Sequence, residues 1–107
     1  MKPRAALTVL VLGVVPALAG IKDYVGAWHL SLHGKRCDIG LTAKKLKSGY
    51  ALAQKCQDAF GVQSAMAWKP FDGGIVFLSE TGAPVVTFNA TEELYLSDNN
   101  PDLALRK

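Results

Sequence analysis

The stretch GAWHLSLHGKRCDIGL, Gly26 to Leu41, decides how the chain is read. Trp28, Leu30 and Leu32 alternate with His29, Ser31 and His33, and Cys37, Ile39 and Leu41 alternate with Asp38, Gly40 and Thr42. Side chains two residues apart on a strand share a face, so these runs predict a β-hairpin with six apolar residues pointing into one core. Gly34, Lys35 and Arg36 are expected to make its turn.

The same grammar continues toward the C-terminus. Gly49 to Ala53 reads as a third strand, with Tyr50 a strong β former. In Cys56 to Val62, the spacing of Cys56, Ala59 and Phe60 suits one helical turn closed by Gly61. Ala65 to Pro70 predicts a fourth strand, with Met66 and Trp68 facing opposite to Ala65, Ala67 and Lys69. Pro70 is expected to end it, having no N–H for the ladder. Phe71-Asp72-Gly73-Gly74 is the strongest turn signal of the chain and leads into Ile75 to Leu78. Val85 to Asn89, Leu94 to Ser97 and Leu103 to Arg106 complete a set of eight strands of four to six residues. None of the connections is long enough for a helical crossover, so the strands should form an antiparallel meander. Closing such a meander removes its edges. The expected fold is therefore all-β, an eight-stranded antiparallel up-and-down β-barrel, with a two-sheet sandwich as the alternative. Trp28, Leu30, Ile39 and Trp68 are its expected core, and Phe77 and Phe88 would help to fill so short a barrel.

The N-terminal side of the hairpin reads differently. Lys2 and Arg4 precede the uncharged apolar run Ala5 to Val15, and Ala17-Leu18-Ala19 places small residues where a signal peptidase cuts. The apolar run is shorter than the roughly 20 residues a spanning helix needs, and Pro16 interrupts it. Residues 1–19 are thus expected to be a secretory signal, 20–25 a short N-terminal arm and 26–107 the barrel domain. The 107-residue chain has 12 basic and 9 acidic residues; without Lys2 and Arg4, ten basic residues remain and the net charge falls from +3 to +1. The remaining lysines are scattered, without an aromatic and basic stripe, and so do not point to nucleic acid. Stable membrane insertion is not indicated either, and the domain is expected to be a monomer in the periplasm or secreted.

Cys37 and Cys56 both fall in the exported part, and an even pair in an oxidising compartment is most simply one disulfide. A metal site would need more ligands than two cysteines supply. His29 and His33 would lie about 13 Å apart along an extended strand, too far to share a metal. Glu92, Glu93 and Asp98 sit in turn-rich segments without a nucleophile motif. Gly73-Gly74 lacks the following helix of a phosphate loop. Asn89-Ala90-Thr91 has the N-glycosylation spacing, a pattern common by chance. No enzyme site and no cofactor are legible.

The order of G-A-W-H-L (Gly26 to Leu30), C-D-I-G-L (Cys37 to Leu41), Y-A-L (Tyr50 to Leu52), Cys56, A-W-K-P (Ala67 to Pro70), G-I-V-F-L (Gly74 to Leu78) and the closing Leu103 to Lys107 resembles the Inh family. These are periplasmic inhibitors of serralysin-type zinc metalloproteases, and related outer-membrane lipoproteins share the domain. The resemblance implies an eight-stranded barrel, a disulfide between Cys37 and Cys56, and a zinc metalloprotease as partner. It also implies an extended N-terminal trunk whose free amine reaches the protease's zinc. Here Gly20 would supply that amine, with Ile21 and Lys22 as the protease-contacting trunk and no metal held by the domain itself. The expected cleavage leaves only these three residues before Asp23-Tyr24-Val25-Gly26, fewer than is typical of the family. A non-inhibitory barrel that holds a small apolar ligand, or serves as an envelope structural module, is the alternative reading.

Overall fold

The structure, a computed structural model, describes residues 20–107. The segment expected to be a signal peptide lies outside the described residues. Eight strands follow one another: β1 (Gly26–Leu32), β2 (Lys35–Lys45), β3 (Tyr50–Gln54), β4 (Ala67–Phe71), β5 (Gly74–Leu78), β6 (Pro84–Ala90), β7 (Tyr95–Ser97) and β8 (Ala104–Arg106). Each pairs antiparallel with its neighbour in sequence, and β8 returns to pair with β1, closing the barrel. The expected up-and-down barrel is therefore the fold. Single 3-10 turns at Ile21–Asp23 and Asp58–Phe60 are its two helical elements among the described residues. The second lies where one helical turn was expected, and Gly61 closes it in the left-handed conformation.

The first hairpin is tighter than its sequence suggested. Lys35 and Arg36 are strand residues, paired with Leu32 and Ser31, and the turn is His33-Gly34 alone. Both turn residues have positive φ, 51° and 81°, the backbone that makes a two-residue connection follow the twist of the strands. Asp72-Gly73, at 54° and 83°, repeats the device between β4 and β5. Histidine tolerates the left-handed region better than most residues with a Cβ, which explains a turn that starts one residue earlier than Gly34. Pro70 does not end its strand either. It sits inside β4 opposite Ile75, where pairing with β3, confined to Ala67 and Trp68, has already stopped. One side of β4 is free there, so a residue without an N–H is accommodated.

β2, with 11 residues, is much longer than expected because a register irregularity between Leu41 and Lys45 lets it bend along β3. The irregularity has a structural consequence. The Thr42 carbonyl accepts the indole N–H of Trp68 at 3.0 Å, while the Thr42 hydroxyl donates to the Ala51 carbonyl at 2.8 Å. A fully buried tryptophan thus finds a backbone partner inside the barrel wall.

The interior is filled by side chains. Leu30, Leu41, Trp68, Ile75, Phe77, Phe88 and Leu105 are essentially inaccessible, and Trp28 and Ile39 are buried with them. Phe77 and Phe88 meet edge to face at 5.1 Å between centroids, Tyr50 packs on Trp68 at 5.5 Å, and Tyr95 packs on Trp28 at 5.5 Å. Phe60, Val62 and Ala65, from the connection between β3 and β4, join the same core. The Cys37–Cys56 disulfide is formed, with a Cα separation of 5.5 Å, and ties that connection to β2. A second, smaller cluster, Ala67, Val76 and Leu78, lies buried on the other face of β4 and β5. Gly74 stands where no side chain fits, since a Cβ there would collide with the Phe88 carbonyl.

Replacing Cys37 by Ser should lower unfolding stability by roughly 2 to 4 kcal/mol, because a bridge spanning 19 residues restricts the unfolded chain; denaturant titration with and without reductant measures it. Trp68→Ala should cost about 3 to 5 kcal/mol, whereas Phe71→Ala, at a half-exposed ring, should stay within about 0.5 kcal/mol. Comparable losses at the two positions would contradict the packing described.

Candidate functional site

The residues expected to form an extended arm are folded back onto the barrel. Ile21–Asp23 make one 3-10 turn, in which the Ile21 carbonyl accepts the N–H groups of Tyr24 at 2.8 Å and Val25 at 3.1 Å. The apolar side chains of Ile21, Tyr24 and Val25 pack against the core, and this hydrophobic anchorage is the physical reason the segment is not extended. Gly20 and Lys22 remain exposed beside it.

Three further contacts hold the turn in place. The indole N–H of Trp28 donates to the Tyr24 carbonyl at 2.6 Å, and the Tyr24 ring lies 6.0 Å from that of Trp68. From the other end of the chain, the Lys107 ammonium donates to the Asp23 carbonyl at 3.2 Å and stands 5.6 Å above the Trp28 ring. The cation therefore satisfies a carbonyl of the turn and the negative face of an indole together. The sequence carries no local signal for this clamp, because Lys107 is 84 residues from Asp23.

The histidines stay apart, each in its own setting. His29 lies on β1 opposite Asp38 of β2 and Arg106 of β8. Its pKa is lowered, first by desolvation and then by the Arg36 and Arg106 guanidiniums, with Asp38 pulling the other way. The imidazole of His33 pairs with the Asp102 carboxylate at 3.0 Å, joining the first hairpin turn to the connection before β8. Glu92, Glu93 and Asp98 are exposed in or beside the turns that flank β7. Among the described residues, no group of three His, Cys, Asp or Glu side chains could hold a metal ion, and no helix is long and apolar enough to cross a membrane.

The described residues thus form a small, solidly packed barrel with one disulfide, bearing an anchored N-terminal turn. The family model described as protease inhibitor Inh matches residues 19–105, and the chain belongs to this family of protease inhibitors. Among curated proteins, none matches the sequence.

Lys107→Ala should release the clamp without opening the barrel. Amide hydrogen exchange at Tyr24 and Val25 should then quicken several-fold, while exchange in β5 stays unchanged. His29 supplies a pH signature. Its folded pKa lies below the unfolded value of about 6.5, so the unfolded chain takes up the proton first. Its contribution to stability is complete above that pH and is lost as pH falls through the folded pKa. His29→Gln should flatten this limb in denaturant midpoints measured from pH 7 to 5.

Proposed function

We propose that the protein is exported, loses Met1 to Ala19 as a signal peptide, and in the periplasm inhibits an exported zinc metalloprotease of the serralysin type. In this reading Gly20, Ile21 and Lys22 enter the protease cleft, and the Gly20 amine takes the zinc position otherwise held by the attacking water. The observation that carries the proposal is the extent of the family match, which begins at Ala19, where the signal is expected to end, and runs through the barrel. The Cys37–Cys56 bond suits an oxidising compartment. The filled interior disfavours the alternative of a barrel holding a small ligand, since Trp68, Phe77 and Phe88 occupy the space that ligand would need.

The anchored turn adds a condition to this mechanism. In a 3-10 turn three residues advance about 6 Å, against about 10 Å when extended, so full reach requires the turn to open. Opening gives up the two bonds to the Ile21 carbonyl, at a net cost of roughly 1 to 3 kcal/mol. Ile21 also leaves the barrel, and a side-chain pocket in the protease would offset that loss. Such a cost is small beside the roughly 12 kcal/mol of a nanomolar complex.

The test is to compare the mature protein with a form acetylated at Gly20 and a form lacking Gly20 to Lys22, against a serralysin-type protease. Both modified forms should fold and should lose inhibition. Unchanged inhibition would assign the binding to the barrel surface instead. Only a neutral amine can donate to zinc, so inhibition by the unmodified form should weaken as pH falls below about 7.7.

A further inference from the structure

The charges of the barrel are not evenly spread. On the outer side of β8, β1 and β2, Arg106, His29 and Asp38 stand in one row across the sheet, at paired positions of the three strands. Arg36 lies two residues from Asp38 on β2 and donates to its carboxylate at 3.1 Å. Two surface depressions meet at this ion pair. One, of about 620 Å³, runs from Arg36 and Asp38 past Lys35 and Lys55 to the disulfide. The other, of about 380 Å³, runs from the same two residues past His29 to Lys107 at the N-terminal turn. Together with Arg106 beside His29, the groove holds five of the ten basic residues of Gly20 to Lys107 but only one of the nine acidic ones. The rest of the domain therefore carries eight acidic against five basic residues, and the groove is the basic part of a molecule whose remainder is net acidic.

We propose that this groove is a docking surface for an acidic polypeptide segment, with carboxylates placed on either side of the Arg36–Asp38 pair; the partner carrying the segment is the target protease, so the proposal rests on the reading above. Three features favour a polypeptide over another polyanion. Asp38 sits between the cations, where it would repel an unbroken row of phosphates but leaves room for separate carboxylates. The net charge of +1 gives little overall attraction to an anionic surface, whereas a local cluster of cations on a nearly neutral molecule orients an encounter between proteins. The groove also ends at Lys107, against the turn that carries Gly20, so an acidic segment seated there would bring its owner to the proposed inhibitory end.

The experiment measures association and dissociation rates of mature protein with a serralysin-type protease at about 20 mM and about 300 mM salt, where the screening length falls from roughly 20 Å to 6 Å. One variant combines R36E, K55E and R106E. Its control combines K44E, K47E and K69E, the same change of net charge elsewhere on the barrel. The groove variant should associate at least about tenfold more slowly at low salt, with the difference shrinking at high salt, while the control changes much less. Equal slowing of both variants would overturn the proposal, since net charge alone would then explain the rates. Should the triple variant not fold, K55E and R106E singly should each show part of the effect, and no effect from either would count against the groove.

If the unmodified protein inhibits no such protease, the inhibitory reading fails, and nuclear magnetic resonance titration with octaglutamate decides the groove separately. Shifts concentrated at His29, Arg36, Lys55 and Arg106 would support it, and their absence would overturn it. Binding to phosphatidylglycerol vesicles through the same residues, without octaglutamate binding, would also overturn it in favour of a membrane surface.

Discussion

Two buried indoles impose the main constraint on this barrel. Each tryptophan carries an N–H that an apolar interior cannot solvate, and leaving such a donor unpaired costs about 1 to 3 kcal/mol. The structure meets the demand twice with backbone carbonyls. Trp68 is served by Thr42, which the irregularity in β2 places within 3.0 Å, and Trp28 by Tyr24, which belongs to the N-terminal segment. The long bent second strand and the folded start of the domain thus both bear on the same chemical need. Removing either carbonyl from its place would strand a donor in the core.

The disulfide supplies what so small a core cannot. Domains of this length bury a modest fraction of their surface, and β7 and β8, three residues each, contribute short ladders to the closure. The Cys37–Cys56 bridge fastens the long connection between β3 and β4, whose Phe60 and Val62 belong to the core. With that connection held, the interior closes over its aromatic residues. Such a body suits a protease inhibitor, since a rigid scaffold loses little conformational freedom on binding.

The N-terminal turn is where the stability of the barrel meets the proposed inhibitory role. Ile21 packs against the core, while Gly20 and Lys22 face solvent and Lys107 holds the Asp23 carbonyl from the other terminus. A segment anchored in this way is fixed in direction but spans less than the same residues would when extended. The balance between the two rests on a few weak contacts, each of a size that binding energy readily exceeds.

Much of the fold was legible in the alternation of apolar residues, because a period of two commits a strand to one buried face whatever lies opposite. Trp28, Leu30, Ile39 and Leu41 are inside for that reason, and the short connections left an antiparallel meander as the simplest closure. The cysteine pair was readable from its number and its expected compartment. The hairpin turn at His33, the proline kept inside β4 and the length of β2 were not, since each depends on which neighbour a strand has at a given residue rather than on its own composition. The clamp on the N-terminal turn and the row of Arg106, His29 and Asp38 lie further from local sequence still. They join residues from opposite ends of the chain that meet only because β8 closes onto β1. The pattern of hydrophobicity determined what is buried; the pairing of strands, and the closure of β8 onto β1 in particular, decided which polar and charged groups stand together on its surface.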